Sequence, residues 1–450
     1  MGHPVSRNLP RRPAGTRAPL GSHVAAIALP VSARADFPRA SRSFLLAALL
    51  LAASATATHA AGAPPFAELL QLSLADAPAL LEQAANVRAA DANARQARAW
   101  LNPSASATFE NIGAPQNAGA SQRQDTYSVT QPFEIGGKRA ARIEAGERGL
   151  ATAQARDRQA RITFSAELAL AYATAEAMQE RRIFVGEELA RANEDLRAVR
   201  ALVQAGREAQ LRVEQATASA AAARAAQHAA TADAIEALER LSALVGARES
   251  YTGIDRPFLA SAVAYRPLAS QDPKEAPAVV TATAERDALA AQIRVEEKKS
   301  IPDIGLTAGT RTFGWTNGNA LVVGVSMSIP LFDRNNAGID AARHRASAAD
   351  ARLEAARLEA VAARRSALSR VAASELRLEA ATQGESAAAE AYRLARIGYD
   401  AGRTSLLELL AIRRALTEAR LLAIDARLAR VRANAALSMA DGRIAFGDLK

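Results

Sequence analysis

The chain repeats itself. Tyr127-Ser128-Val129-Thr130-Gln131-Pro132-Phe133 alternates like a strand, stops at Pro132, and passes through Gly136-Gly137-Lys138 into a long Ala/Arg/Glu-rich segment. Val323-Gly324-Val325-Ser326-Met327-Ser328-Ile329-Pro330 does the same before a second long segment of that kind. From Pro132 to Pro330 is 198 positions. Two strand-to-helix junctions at such an offset mean an internal duplication, which restricts the chain to architectures built from two equivalent units.

Each unit reads helix, strand, strand, helix, helix. Leu69, Leu70, Leu74, Leu80, Leu81 and Val87 recur with a helical period over 66–100, and Asn102-Pro103 ends that helix. Strands are expected at about 104–112 and 123–133, around a loop holding Gly113, Pro115 and Gly119. Lys138 to about Gln204 contains no proline, so 67 residues can form one helix of roughly 100 Å. Gly206 breaks it, and a second helix runs to about Val245. The second unit has a helix over 277–299, Ile301-Pro302, strands at about 303–313 and 320–331, and a long helix at about 335–399. Asp400-Ala401-Gly402-Arg403 breaks that helix, and a last one runs to Ala440. The expected division is therefore an extension and leader (1–60), a first repeat (61–246), a linker (247–275), a second repeat (276–440) and a tail (441–450).

Hydrophobic residues make up 49% of the chain but aromatics only 4%. That composition suits long helices packed closely through small side chains better than one large globular core. The absence of Cys removes disulfides, thiolate metal sites, Cys nucleophiles and the attachment point of a bacterial lipid anchor, so no lipidation is expected. The net charge of +9 points first to nucleic acid, yet Arg7, Arg11, Arg12, Arg17, Arg34, Arg39 and Arg42 face only Asp36 in the first 60 residues. Without that segment's +6 the remaining 390 residues carry +3, with signs alternating along helices as on solvated faces, so no nucleic-acid partner is expected.

Arg39 and Arg42, the apolar run Phe44 to Ala53, and small residues at cleavage spacing read as a secretory signal cut near Ala57 or Ala60. About ten apolar residues are too few to span a bilayer, which takes roughly 20. No later run is long and apolar enough either. Strands of about ten residues with one apolar face do match a tilted membrane barrel, as Leu321, Val323, Val325, Met327, Ile329 and Leu331 show by alternating with small or polar residues. In lipid every backbone group must be paired, so the strands must close, and four per chain close only by oligomerisation. Helices of that length must then project from the membrane.

With this layout the chain resembles the TolC-type outer-membrane efflux proteins over residues 65–440. The carriers are the duplication, Asn102-Pro103 and Ile301-Pro302 before each strand pair, Ser326 through Arg334, and Gly402 through Leu410. Gln131-Pro132-Phe133-Glu134-Ile135-Gly136-Gly137-Lys138-Arg139 is similar to the CzcC-like heavy-metal branch. The resemblance implies an α+β membrane protein forming a homotrimer, with a 12-stranded outer-membrane β-barrel continuous with a periplasmic α-helical barrel. It implies a periplasmic adaptor and an inner-membrane resistance-nodulation-division pump as partners, export of divalent cations of the zinc, cobalt, cadmium and nickel class, and no chemistry by this component. A drug-efflux or type I secretion duct of the same architecture is the alternative. A soluble periplasmic coiled-coil adaptor is the second, but it leaves the duplication unexplained.

The same resemblance puts a periplasmic gate near the second helix break, with Tyr399 and Glu408 at family positions, Arg403 one place from the family's arginine, and Arg212 where the family has an acid. Three copies of Glu408 around an axis would attract cations and repel one another, and a salt bridge to Arg403 would relieve that. Pro132 and Pro330 are expected at strand ends, marking the barrel-to-tunnel transition, with Gly136 and Gly137 permitting a sharp turn. No metal site or cofactor is expected. The mature chain holds only His228 and His344, with Met178, Met327 and Met439, at no ligand spacing. No nucleophile elbow, phosphate loop or His/acid constellation points to an enzyme.

Overall fold

The computed structural model of the chain describes residues 62–266, 276–316 and 318–448. The expected leader with Ala57 and Ala60, the linker residues 267–275 and Asn317 lie outside them. The first half gives α1 (Phe66–Asp76), α2 (Pro78–Ala97), β1 (Ser104–Glu110), β2 (Gln124–Phe133), α3 (Lys138–Gln204) and α4 (Gln210–Val245). A short α5 (Leu259–Ala264) precedes the second half, which gives α6 (Pro277–Lys298), β3 (Ile304–Phe313), β4 (Asn319–Met327), α7 (Asn336–Asp400) and α8 (Leu406–Ala440). The order α2-β1-β2-α3-α4 recurs as α6-β3-β4-α7-α8.

Four details differ from the sequence reading, each for a local reason. The helix over 66–100 is two helices, because Pro78 starts a new one and holds Ala77 extended at ψ 133°. β1 stops at Glu110, where Asn111 turns left-handed at φ 57°. β4 stops at Met327 rather than Leu331, because its partner β3 begins at Ile304 opposite Met327 and offers no ladder beyond. Pro330 therefore lies three residues past the strand. Pro132 lies inside β2, paired with Gly305, and β2 ends one residue later. The β1 ladder has already stopped at Ser104↔Thr130, so Pro132 occupies an edge position where a missing N–H is tolerated.

The four strands form one antiparallel sheet in the order β1-β2-β3-β4. The long helices pair as hairpins, α3 with α4 and α7 with α8. Their buried seams are made of small residues. Ala367, Ser374, Ala381 and Ala395 of α7 are buried at multiples of seven, the spacing of a supercoiled seam, and Ala216, Ala220, Ala230, Ala234 and Ala237 serve α4. Small side chains bring helix axes close but bury little area per residue.

The aromatic residues are concentrated where α1, α3, α5 and the C-terminal segment meet. Phe66 stacks on Phe258 with centroids 4.1 Å apart, and Tyr172 and Phe446 meet Phe258 edge-on at 5.5 and 5.4 Å. Leu70, Leu168, Leu241, Leu259 and Val431 complete this fully buried cluster. The tail over 441–450 thus contributes Ala445 and Phe446 to the core. Tyr172 donates to the Pro64 carbonyl, and Glu176 accepts from the amides of Phe258 and Leu259, both at 2.8 Å, which ties α5 to α3. Burial pushes the Glu176 carboxyl above the ordinary carboxylate range despite those two bonds.

Candidate functional site

The register sorts the sheet into two chemically distinct faces. One carries Phe109, Tyr127, Val129, Leu306, Leu321, Val323, Val325 and Met327, and all of them are exposed, Leu321 by 80%. The opposite face carries Ser106, Thr108, Thr126, Ser128, Thr130, Gly305, Thr307, Gly309 and Gly324. Its hydroxyls pair across strands, Ser106 with Ser128 at 2.9 Å and Thr130 with Thr307 at 2.7 Å. A continuous exposed apolar face backed by a hydroxyl-lined one is the pattern of a lipid-facing barrel wall with a wet interior. The outer edges of β1 and β4 have no strand beside them among the described residues. No helix among these residues is long and apolar enough to cross a membrane.

The two junctions from sheet to long helix use different chemistry. In the first, Gly136 and Gly137 are left-handed at φ 66° and 82°. A Cβ on Gly136 would stand 2.5 Å from Ile301 Cδ1, so both the conformation and the space require glycine there. Lys138 bridges to Asp303 at 2.9 Å and Arg142 to Glu134 at 2.5 Å. In the second, Asn335 is the left-handed residue at φ 58°. Its amide donates to the Glu296 carbonyl and to Glu296 Oε2, both at 2.9 Å, while its backbone N–H donates to Asp333. Hydrogen bonds from Lys299 and then Asn335 hold the Glu296 carboxyl below its usual range.

At the far ends of the hairpins the two halves match closely. Gly206 and Gly402 both have φ 69°, and each is followed by an arginine whose N–H reaches back into the helix, Arg207 to Leu202 at 2.9 Å and Arg403 to Gly398 at 2.8 Å. Tyr399 is half-buried against Val199, Ala216 and Leu406. Arg403 and Glu408 are exposed, and no ion pair joins them among the described residues. The expected salt bridge is not formed; Glu408 sits in the first turn of α8, where its backbone N–H bonds to the capping Ser405 hydroxyl at 3.2 Å. Among the described residues Arg212 meets only near sequence neighbours, Glu208 just before α4 at 3.9 Å and Gln215 within it at 3.1 Å.

The buried charge lies further along the hairpins. Arg413 of α8 is 8% exposed and pairs with Asp195 of α3, with Glu188 at 3.8 Å and with Ser219 of α4 at 3.5 Å. Arg191 pairs with Glu188 as well. This cluster ties α8 to the α3/α4 hairpin. Sequence spacing does not reveal it, because its members come from three helices. His228 and His344 are exposed on α4 and α7, and among the described residues no group of three His, Cys, Asp or Glu converges as a metal site would.

The outer membrane efflux protein family matches residues 69–247 and 268–443. The nickel-cobalt-cadmium resistance protein NccC of Alcaligenes xylosoxydans xylosoxydans is 59% identical over 399 residues, covering 89% of this chain and 91% of the relative. The nickel and cobalt resistance protein CnrC of Cupriavidus metallidurans is 61% identical over 389 residues, covering 86% and 93%. The cobalt-zinc-cadmium resistance protein CzcC of that organism is 28% identical, covering 67% and 73%. In fold the chain is similar to the Campylobacter jejuni CmeC outer membrane channel, with a TM-score of 0.72 at 16% identity over 84% of this chain and 85% of that one. The resemblance read from the duplication and from Gln131–Arg139 therefore stands.

Proposed function

The chain belongs to the outer membrane efflux protein family, and from that premise we propose that it is the outer-membrane channel of a tripartite efflux system exporting divalent heavy-metal cations of the nickel, cobalt and cadmium class. The observation that carries the substrate class is the likeness to NccC across nearly the whole of both chains. The sheet supplies the physical support. It has four antiparallel strands with open edges, and β1 and β4 run in opposite directions, so β4 of one copy can continue antiparallel onto β1 of the next. Three copies close twelve strands with every backbone group paired, and they bring together twelve long helices from α3, α4, α7 and α8.

In this reading the leader is removed near Ala57 or Ala60, and no Cys remains to carry a lipid. The hairpin ends at Gly206 and Gly402 face the periplasmic adaptor and the inner-membrane pump. Tyr399, Arg403, Glu408 and Arg212 form the gate there, with the Arg413–Asp195–Glu188 cluster holding α8 against its neighbours. Pro132, Gly136, Gly137 and Pro330 flank the transition from barrel to tunnel. The metal ion is cargo that passes through, and selectivity for its chemistry resides in the pump.

Growth of a deletion strain, with and without the restored gene, tests the reading. The panel is nickel, cobalt, cadmium, zinc, copper and silver beside dyes, detergents and antibiotics. Sensitivity confined to nickel, cobalt and cadmium is the expected result. Sensitivity to organic compounds with every metal unaffected contradicts the substrate class and leaves a duct for other cargo.

A further inference from the structure

Three charged side chains occur in the four strands, Glu110, Asp125 and Arg311. Asp125 projects on the apolar face, opposite Phe109, and is paired with Arg123 at 2.8 Å. Glu110 and Arg311 project on the hydroxyl face and meet each other. The Arg311 guanidinium donates to Thr126 Oγ1 at 3.0 Å and to Gln124 Oε1 at 3.2 Å, and its remaining nitrogen lies 3.5 Å from Glu110 Oε2. It is thus fixed by groups on β1 and β2, and its register partner is Thr126. All of this lies at the end of the sheet opposite the long helices, beside the loops that follow Glu110 and Phe313.

We propose that the Glu110–Arg311 pair is the charge-selective collar at the outer mouth of the duct, setting how readily cations pass relative to anions. This rests on the closed-barrel reading above, in which the hydroxyl face lines the lumen. The rest of that face consists of hydroxyls, glycines and small apolar groups without formal charge, so ions leaving the barrel meet their only fixed strand charges here. Three copies place three arginines around the exit, a ring that by itself repels dications and attracts anions. Each Glu110 cancels one of them. Thr126 and Gln124 orient the guanidinium along the wall, so that its charge stays beside its partner and the exit is neutral to a departing cation. Lumen-facing charge is the usual lever on selectivity in such barrels.

The test is the reversal potential of the purified full-length protein in planar bilayers under a potassium chloride gradient. Glu110→Gln uncovers the arginines and is expected to lower the cation-to-anion permeability ratio severalfold. Arg311→Gln is expected to raise it in the opposite sense, and the exchanged pair Glu110→Arg with Arg311→Glu to return it near the original value. Asp125→Asn removes a charge at the same height on the other face and is expected to leave the ratio unchanged. Each variant is first checked for the same heat-resistant oligomer. Reversal potentials that do not move with Glu110→Gln and Arg311→Gln overturn the collar while the duct stands, and so does an Asp125→Asn shift as large as theirs. Protein that inserts and conducts in no variant overturns the duct reading itself.

Discussion

The aromatic core where α1, α3, α5 and the C-terminal segment meet, here called the waist, and the free ends of the helical hairpins are built on opposite plans. At the waist Phe66, Tyr172, Phe258 and Phe446 pack with residues of α1, α3, α4, α5 and α8 and of the C-terminal segment, and all four are buried. At the hairpin ends the apolar cluster shrinks to Val199, Ala216 and Leu406 with partly buried neighbours, and an arginine held by two acids supplies the main link between hairpins. The hydrophobic effect scales with buried area, so the waist is the fixed point and the ends are held by contacts that can be exchanged without unfolding. A duct of the proposed kind, assembled at its centre and opening at the hairpin ends, needs this difference.

The comparison breaks first at Phe258. Truncating it to Ala opens a cavity between three other rings and is expected to cost about 3–5 kcal/mol, read as a large fall in the thermal midpoint of the extracted protein. Survival of the midpoint would mean the waist is not the fixed point. At the hairpin ends Asp195→Ala leaves Arg413 buried with Glu188 at 3.8 Å and the neutral Ser219 hydroxyl at 3.5 Å. Breaking a partly buried pair in this way costs about 3 kcal/mol. Here the expected readout is functional, with assembly retained and cells newly sensitive to large antibiotics that the outer membrane normally excludes. Unchanged exclusion would remove the cluster from any role in closure.

The glycines sharpen the contrast further. Gly402→Ala adds a methyl to open space at a left-handed residue, which costs about 1 kcal/mol. Gly136→Ala pays that same cost and also drives a Cβ into Ile301, so its loss of stability should be visibly the larger in paired thermal melts. Equal losses would show that Ile301 moves aside freely. The smallest effect is expected at Glu296. Its folded carboxyl is held low by Lys299 and Asn335, so its contribution is present above the ordinary glutamate range and is lost as pH falls through the depressed value. The gap in stability between the native chain and Glu296→Gln, about 1 kcal/mol at neutral pH, should therefore close on acidification below about pH 4. A gap that widens in acid would contradict the sign.

Much of the fold was legible because its punctuation is chemical. The proline-free run from Lys138 to Gln204, the glycines after each long helix and the alternation in β4 each report a backbone constraint that acts locally. What was not legible depends on partners far away in sequence. β4 stops at Met327 because β3 starts at Ile304, which no property of Ser328 or Ile329 announces. Phe446 belongs to the core only because Phe66 and Phe258 meet it there. Arg413 is one arginine among many on alternating helices, and only the folded chain brings Asp195 and Ser219 to it. Arg403 and Glu408, five residues apart, lie on either side of the Ser405 cap and form no ion pair among the described residues.

The mass of the full-length protein, extracted from outer membranes in mild detergent and measured without denaturation, decides whether the open edges of β1 and β4 are closed by other copies. Three chains in one particle is the expected result. A single chain, recovered instead in the soluble periplasmic fraction, would contradict it and return the apolar face of the sheet to the status of an unexplained surface.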